Sequence, residues 1–110
     1  MTLVDAPEAV ATYLRAKTDT DVGTIVGCFT PDAVVHDEGR DHVGTAEIRA
    51  WAEGVAAAYT LTRTVRSVRG VGAATVVAVE IAGDFPGSPV LLHHHFTLAD
   101  GSLAALTICP

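Results

Sequence analysis

Between Thr45 and Arg69 the chain reads TAEIRAWAEGVAAAYTLTRTVRSVR, and its hydrophobic period changes inside that stretch. Ile48, Trp51, Ala52 and Val55 recur at three- and four-residue steps, which places them on one face of a helix over Ala46 to Ala58, with Thr45 as its N-cap. From Tyr59 onward the period is two, the signature of a strand with one buried face. Leu61 to Arg69, Ala73 to Ala82, Val90 to Ala99 and Leu103 to Cys109 are rich in Val, Thr, Leu and Ile. Gly70-Val71-Gly72, the segment from Gly83 to Pro89, and Asp100-Gly101 separate them. Turn-forming residues between alternating runs predict successive antiparallel strands.

Upstream of this switch the pattern is helical. Pro7 suits a first turn, and Ala9, Val10, Tyr13, Leu14 and Lys17 follow at helical spacing to a stop near Thr18. Asp19 or Thr20 is the expected cap of a second helix carrying Val22, Ile25, Val26 and Phe29, ended by Thr30-Pro31-Asp32. Ala33 to Asp37 reads as a brief strand and Glu38 to Gly44 as a surface loop. One apolar helical layer and one apolar sheet face must bury each other. The fold class expected is therefore α+β, with three N-terminal helices closing a curved, mostly antiparallel sheet into a cone, and no βαβ unit.

At 110 residues the chain suits one domain, 1–110, that can build a core without disulfides or a structural metal. Nearly half its residues are apolar and no run approaches the ~20 residues of a membrane span, which argues for a folded protein with no membrane partner. Met1 to Pro7 lacks a basic segment leading into an apolar one, so a cytoplasmic location is expected. The formal charge of −6 and the scattered arginines exclude the basic patch that nucleic-acid binding needs. Cys28 and Cys109 have no metal or redox spacing and read as two inert, buried thiols; no cofactor motif is present.

The order helix, helix, short strand, helix, four strands, with F-x-x-D-A-V-V-H-D from Phe29 to Asp37 and G-T-A-E-I-R-A-W from Gly44 to Trp51, resembles the nuclear transport factor 2-like superfamily, which includes SnoaL-like cyclases and ketosteroid isomerases. Tyr13 through Asp37 looks like the isomerase segment that carries a helix 1 tyrosine and a general-base aspartate. The resemblance thus implies Asp37 as base and Tyr13 as an oxyanion-hole donor. The family's second donor is an aspartate eight residues before the glycine of the last hairpin. Counting back from Gly101 puts His93 there, a departure from the family pattern. That a neutral carboxylic acid can serve as such a donor is the general point for which ketosteroid isomerase is the standard illustration; a neutral imidazole can also donate one hydrogen bond.

Read without the family, Asp37 ends a strand on the same face as Val35 and either points inward, paired or held neutral for proton abstraction, or caps the following loop in solvent. Tyr13 is either a pocket donor or a core aromatic. Alternation puts His93 and His95 on one face and His94 on the other. The first two could line a pocket, bind a metal with Asp37 or Glu38, or be ordinary surface histidines; pocket lining is the expectation adopted, with no metal. Phe29, Val35, Trp51, Leu106 and Ile108 would complete an apolar wall around a small apolar ligand. The other sheet face would then carry His94, Phe96, Leu98, Ala105 and Thr107, too apolar for water, and the superfamily's habit of pairing through this face implies a homodimer. Three functions fit: an isomerase or cyclase, a non-catalytic ligand-binding module, or a subunit-interaction domain whose pocket is filled by Tyr13 packing on Trp51.

Overall fold

The computed structural model describes residues 6–110, so the reading made on Met1 to Asp5 lies outside the described residues. Helix α1 (Glu8–Thr18) starts behind Pro7, whose missing N–H costs nothing at a helix start. Helix α2 (Val22–Gly27) is capped by Asp21, not by Asp19 or Thr20. The Asp21 carboxylate accepts from the Thr24 N–H at 3.2 Å and from its hydroxyl at 2.7 Å.

Strand β1 (Phe29–Asp37) takes in Phe29, which sequence periodicity assigned to the second helix. The expected loop after Asp37 is a hairpin. Glu38 and Gly39 adopt φ of 54° and 75°, and Asp37 pairs with Arg40, so two left-handed residues turn the chain into β2 (Arg40–Val43). Helix α3 (Gly44–Ala58) has Val43 at its N-cap, with no side-chain cap from Thr45. Instead Glu47 Oε1 accepts the Val43 N–H at 2.8 Å, the half of a capping box that reaches backward.

Strands β3 (Leu61–Val71), β4 (Ala74–Gly83), β5 (Val90–Ala99) and β6 (Ser102–Cys109) form the antiparallel meander the alternation predicts. The six strands lie in the order β2-β1-β6-β5-β4-β3. One pairing departs from the antiparallel pattern, since β1 runs parallel to β6, with Val35 opposite Leu106 and His36 opposite Thr107. No sequence period encodes that neighbour, because the two strands are joined through everything between them. Register shifts at Val65/Ser67, Thr97/Leu98 and Phe29/Val34 bend the sheet around the helices.

The concave face and the helices bury one core, in which Tyr13, Ile25, Ile48, Val77, Phe96, Leu103 and Leu106 are essentially sealed from solvent. At roughly 1.5–3 kcal/mol for each large apolar side chain, this core dominates the stability. Among the described residues no helix is long and apolar enough to cross a membrane.

Candidate active site

The helices do not cover the whole concave face. Beyond the C-terminal ends of α1 and α3, the start of β3, the β4–β5 connection and the end of β6 surround a cavity of about 600 Å³. Val55, Leu61, Ile81, Val90, Leu92 and Ile108 give it an apolar wall, and Tyr59 and Phe85, edge to face with centroids 6.2 Å apart, stand at its rim. The polar groups on its surface are Lys17, Asp37, Glu38, Arg63 and His94, together with the Trp51 indole. A mostly apolar cleft with a few convergent polar groups is the usual form of a small-molecule site.

Trp51 organises one end. Its Nε1–H donates to Asp37 Oδ2 at 3.0 Å across the α3–β1 interface, and its ring lies 4.4 Å from Lys17 Nζ. Asp37 is half-buried at the last position of β1, so its carboxylate faces the cavity with one oxygen held. Lys17 is buried, and its ammonium has neither ion pair nor hydrogen bond among the described residues. Burial pushes its pKa down to about 8, with Arg63 pushing the same way and Asp37 opposing. Arg63 points inward from β3 and donates through Nη1 to the Lys17 carbonyl oxygen at 3.2 Å. That bond ties the sheet to the last turn of α1 and leaves most of the guanidinium donors free.

The histidine run is placed opposite to expectation. His94 is buried and borders the cavity, level with Val77 on β4 and Ile108 on β6. Burial above all, with Lys17 adding to it, lowers its pKa to about 4, so the ring is neutral at physiological pH. His93 and His95 lie on the outer face, His93 beside Ala78 and Cys109, His95 exposed beside Thr107. The physical reason is strand parity: a one-residue slip exchanges the faces, and Leu92, Phe96 and Leu98 share the even positions with His94. Phe96 is fully buried, so His94 and Phe96 do not belong to the outer face expected to pair subunits, and Leu98 packs against the core. The apolar weight of the even set was the available signal.

The other expected residues divide cleanly. Asp37, Trp51 and Ile108 line the cavity; Phe29, Val35 and Leu106 belong to the core behind it. Tyr13 is also a core residue, edge to face with Phe29 and Phe96 at 5.8 and 5.5 Å, and its hydroxyl is buried without a hydrogen-bond partner among the described residues. Burial raises its pKa well above the usual phenol value, with Arg63 opposing. Tyr13 is not among the residues that line the cavity, whereas Trp51 is. Cys28 is buried, but Cys109 is only half-buried and borders the cavity. No group of three or more His, Cys, Asp or Glu among the described residues is arranged to hold a metal.

Sequence reasoning missed Lys17 and Arg63 as site residues, and both left a trace. Lys17 extends the apolar stripe of Val10, Tyr13 and Leu14, and Arg63 alternates with Leu61 and Val65, so each is a charge on a face that must go inward.

The family model for the SnoaL-like domain matches residues 10–106. A crystal structure of a candidate polyketide cyclase from Sinorhizobium meliloti is 34% identical, covering 98% of this chain and 99% of its own, with a TM-score of 0.94. An epoxide hydrolase/cyclase-like enzyme of pyran-ring formation in the polyether salinomycin is 22% identical over 93% of this chain and 87% of its own, with a TM-score of 0.81. A protein of ketosteroid isomerase-like fold from Catenulispora acidiphila, solved with trimethylamine, is 17% identical over 94% and 85% of the two chains, also with a TM-score of 0.81. The last two likenesses are of fold alone. No curated protein matches the sequence.

Proposed function

We propose, for a chain that belongs to the SnoaL-like domain family of the nuclear transport factor 2-like superfamily, that the cavity is the active site of a small-molecule isomerase or cyclase with Asp37 as general base. The observation that carries this reading is the Asp37 carboxylate in the cavity wall with one oxygen fixed by Trp51 and the rest of the site largely apolar. A positioned carboxylate can take a proton from a carbon next to a carbonyl, and general-base help of this kind is worth roughly 10² to 10⁴ in rate. The electron pair moves onto the carbonyl oxygen. His94, neutral at the cavity edge, is the donor proposed for that oxyanion in place of His93, and the proton on Asp37 then returns to a different carbon or to the ring-closure product.

The similarity to a candidate polyketide cyclase supports the cyclase form of the reaction, and the apolar wall supports an apolar substrate body. A second proposal concerns assembly. The outer sheet face now carries Leu91, His93, His95, Thr97, Ala105 and Thr107, with Val76 and Ala78 from β4, and a homodimer through it would cover the exposed Leu91.

The test of the base is α-proton exchange on 2-tetralone in deuterium oxide, followed by NMR. The wild type should accelerate exchange, and Asp37→Asn should lose about 10²-fold or more while keeping its fold. A wild type that binds the ketone but exchanges nothing would leave a ligand-binding module without turnover.

A further inference from the structure

Two cations border the cavity, and neither has an acidic partner among the described residues. Lys17 is 7% exposed, yet no carboxylate lies within salt-bridge distance of its ammonium among the described residues; the ammonium sits over the Trp51 ring, 4.4 Å from its centroid. Arg63 spends one nitrogen on the Lys17 carbonyl oxygen and forms no ion pair among the described residues. The ion pairs of the described residues, His36 with Asp41 and Arg66 with Glu80, both lie at the surface. Buried charges are normally paired, because an unpaired one forfeits its hydration for nothing. A lysine that served only the fold would be replaced at a gain by an apolar residue.

The two carboxylates of the cavity do not fill this role. Asp37 is held by the Trp51 N–H, and Glu38 is exposed at the tip of the β1–β2 turn. Lys17 from α1 and Arg63 from β3, joined by the bond to the Lys17 carbonyl oxygen, place two cationic groups side by side on one part of the cavity wall. Val90 and Leu92 from β5 and Ile108 from β6 line the same cavity.

From this placement we infer that Lys17 and Arg63 form the anchor for a carboxylate, and that the ligand of this cavity is an apolar organic acid whose body lies against Leu92, Val90 and Ile108. The carboxylate would accept from the Lys17 ammonium and from the free guanidinium nitrogens of Arg63, giving the buried lysine and the half-buried arginine an acidic partner. A dianion such as a phosphate ester fits less well, since Asp37 and the apolar wall would face its second charge. The inference deepens the isomerase reading only in naming the substrate an oxo acid; the binding claim stands apart from catalysis.

The experiment compares 2-naphthoate with 2-naphthamide, of near-equal shape, by calorimetric titration. The wild type should bind the acid at least about ten-fold more tightly than the amide. Lys17→Met and Arg63→Met should each bring that ratio toward one, and Lys17→Arg should keep most of it. Asp37→Asn should retain or strengthen the preference, since it removes a negative charge from the cavity. In nitrogen-15-labelled wild type, the Lys17 ammonium should titrate at higher pH when naphthoate is bound, a readout that needs no variant to fold. Equal binding of acid and amide, binding of neither at millimolar concentration, or a preference that survives Lys17→Met would overturn the proposal. Acid preference in a protein that exchanges no α-proton would sink the isomerase reading alone. Exchange on neutral ketones without acid preference would sink only this one.

Discussion

Trp51 donates its indole N–H to Asp37 at 3.0 Å, joining the middle of α3 to the last residue of β1 at the cavity wall. The same ring supports the Lys17 ammonium on its face. One side chain therefore positions both the carboxylate and the nearest cation, and removing it should disturb the site more than the fold.

Trp51→Phe tests this, because phenylalanine keeps an aromatic face and deletes the donor. Loss of one hydrogen bond to a charged acceptor should cost about 1–3 kcal/mol in urea unfolding, together with some packing loss. Asp37, free to rotate, should give markedly slower α-proton exchange while ligand affinity changes little. Unaltered exchange would mean that Asp37 needs no positioning.

Lys17→Met should make the protein more stable at pH 7 while abolishing preference for acids. Replacing a buried, unpaired ammonium with an apolar chain of similar length removes a desolvation cost, and the lost cation–π contact offsets only part of it, leaving a gain of about 1 kcal/mol or more. The folded-state pKa of about 8 lies below the ordinary 10.5, so between these values the unfolded chain binds the extra proton. The lysine's contribution therefore improves as pH rises from 8 to 10.5, and the advantage of Lys17→Met should shrink over that window. Arg63 from β3, Asp37 from β1, His94 from β5 and Trp51 from α3 surround the ammonium; Glu38, Tyr59 and Cys109 border the same cavity. Denaturation midpoints of the two proteins against pH measure the difference.

His94 sets an acid limit. Its folded pKa of about 4 lies below the ordinary 6.5, so stability is fully present above 6.5 and is lost as pH falls toward 4, where the unfolded chain gains a proton that the folded one refuses. His94→Leu should flatten this part of the stability profile. Proton NMR of the wild type should show the His94 ring titrating near pH 4.

Tyr13→Phe separates the core role from the inherited catalytic one. The buried hydroxyl has no partner among the described residues, so its removal should be neutral or stabilising by about 1 kcal/mol. Exchange activity should be nearly unchanged if His94 is the donor. A drop of 10²-fold would return the oxyanion role to Tyr13.

The outer face should pair two chains, with light scattering at micromolar concentration reporting about twice the 11.4 kDa chain mass. Thr107 is exposed on β6, near the middle of the sheet, so Thr107→Arg should give a folded monomer. A wild-type monomer would count against the pairing.

The helices, the meander and the presence of a helix-covered sheet were legible in the sequence because they rest on local periods: Val10, Tyr13 and Leu14 at helical steps, Val77, Val79 and Ile81 at strand steps. The motif ending in Asp37 was legible too, and with it the family. The inward side of β5 was legible only as the greater apolar weight of Val90, Leu92, Phe96 and Leu98 over their odd-numbered neighbours, because the three consecutive histidines give no parity of their own, and the burial of Phe96 against Tyr13 is what fixes it. The sequence alone did not supply the parallel pairing of β1 with β6, which joins residues some seventy apart, as Val35 with Leu106. Tertiary structure also decided the chemistry of the site. Lys17, Asp37, Trp51, Arg63 and His94 come from five different elements, and a charge on an apolar stripe becomes a binding group only when packing brings an unoccupied space to its tip.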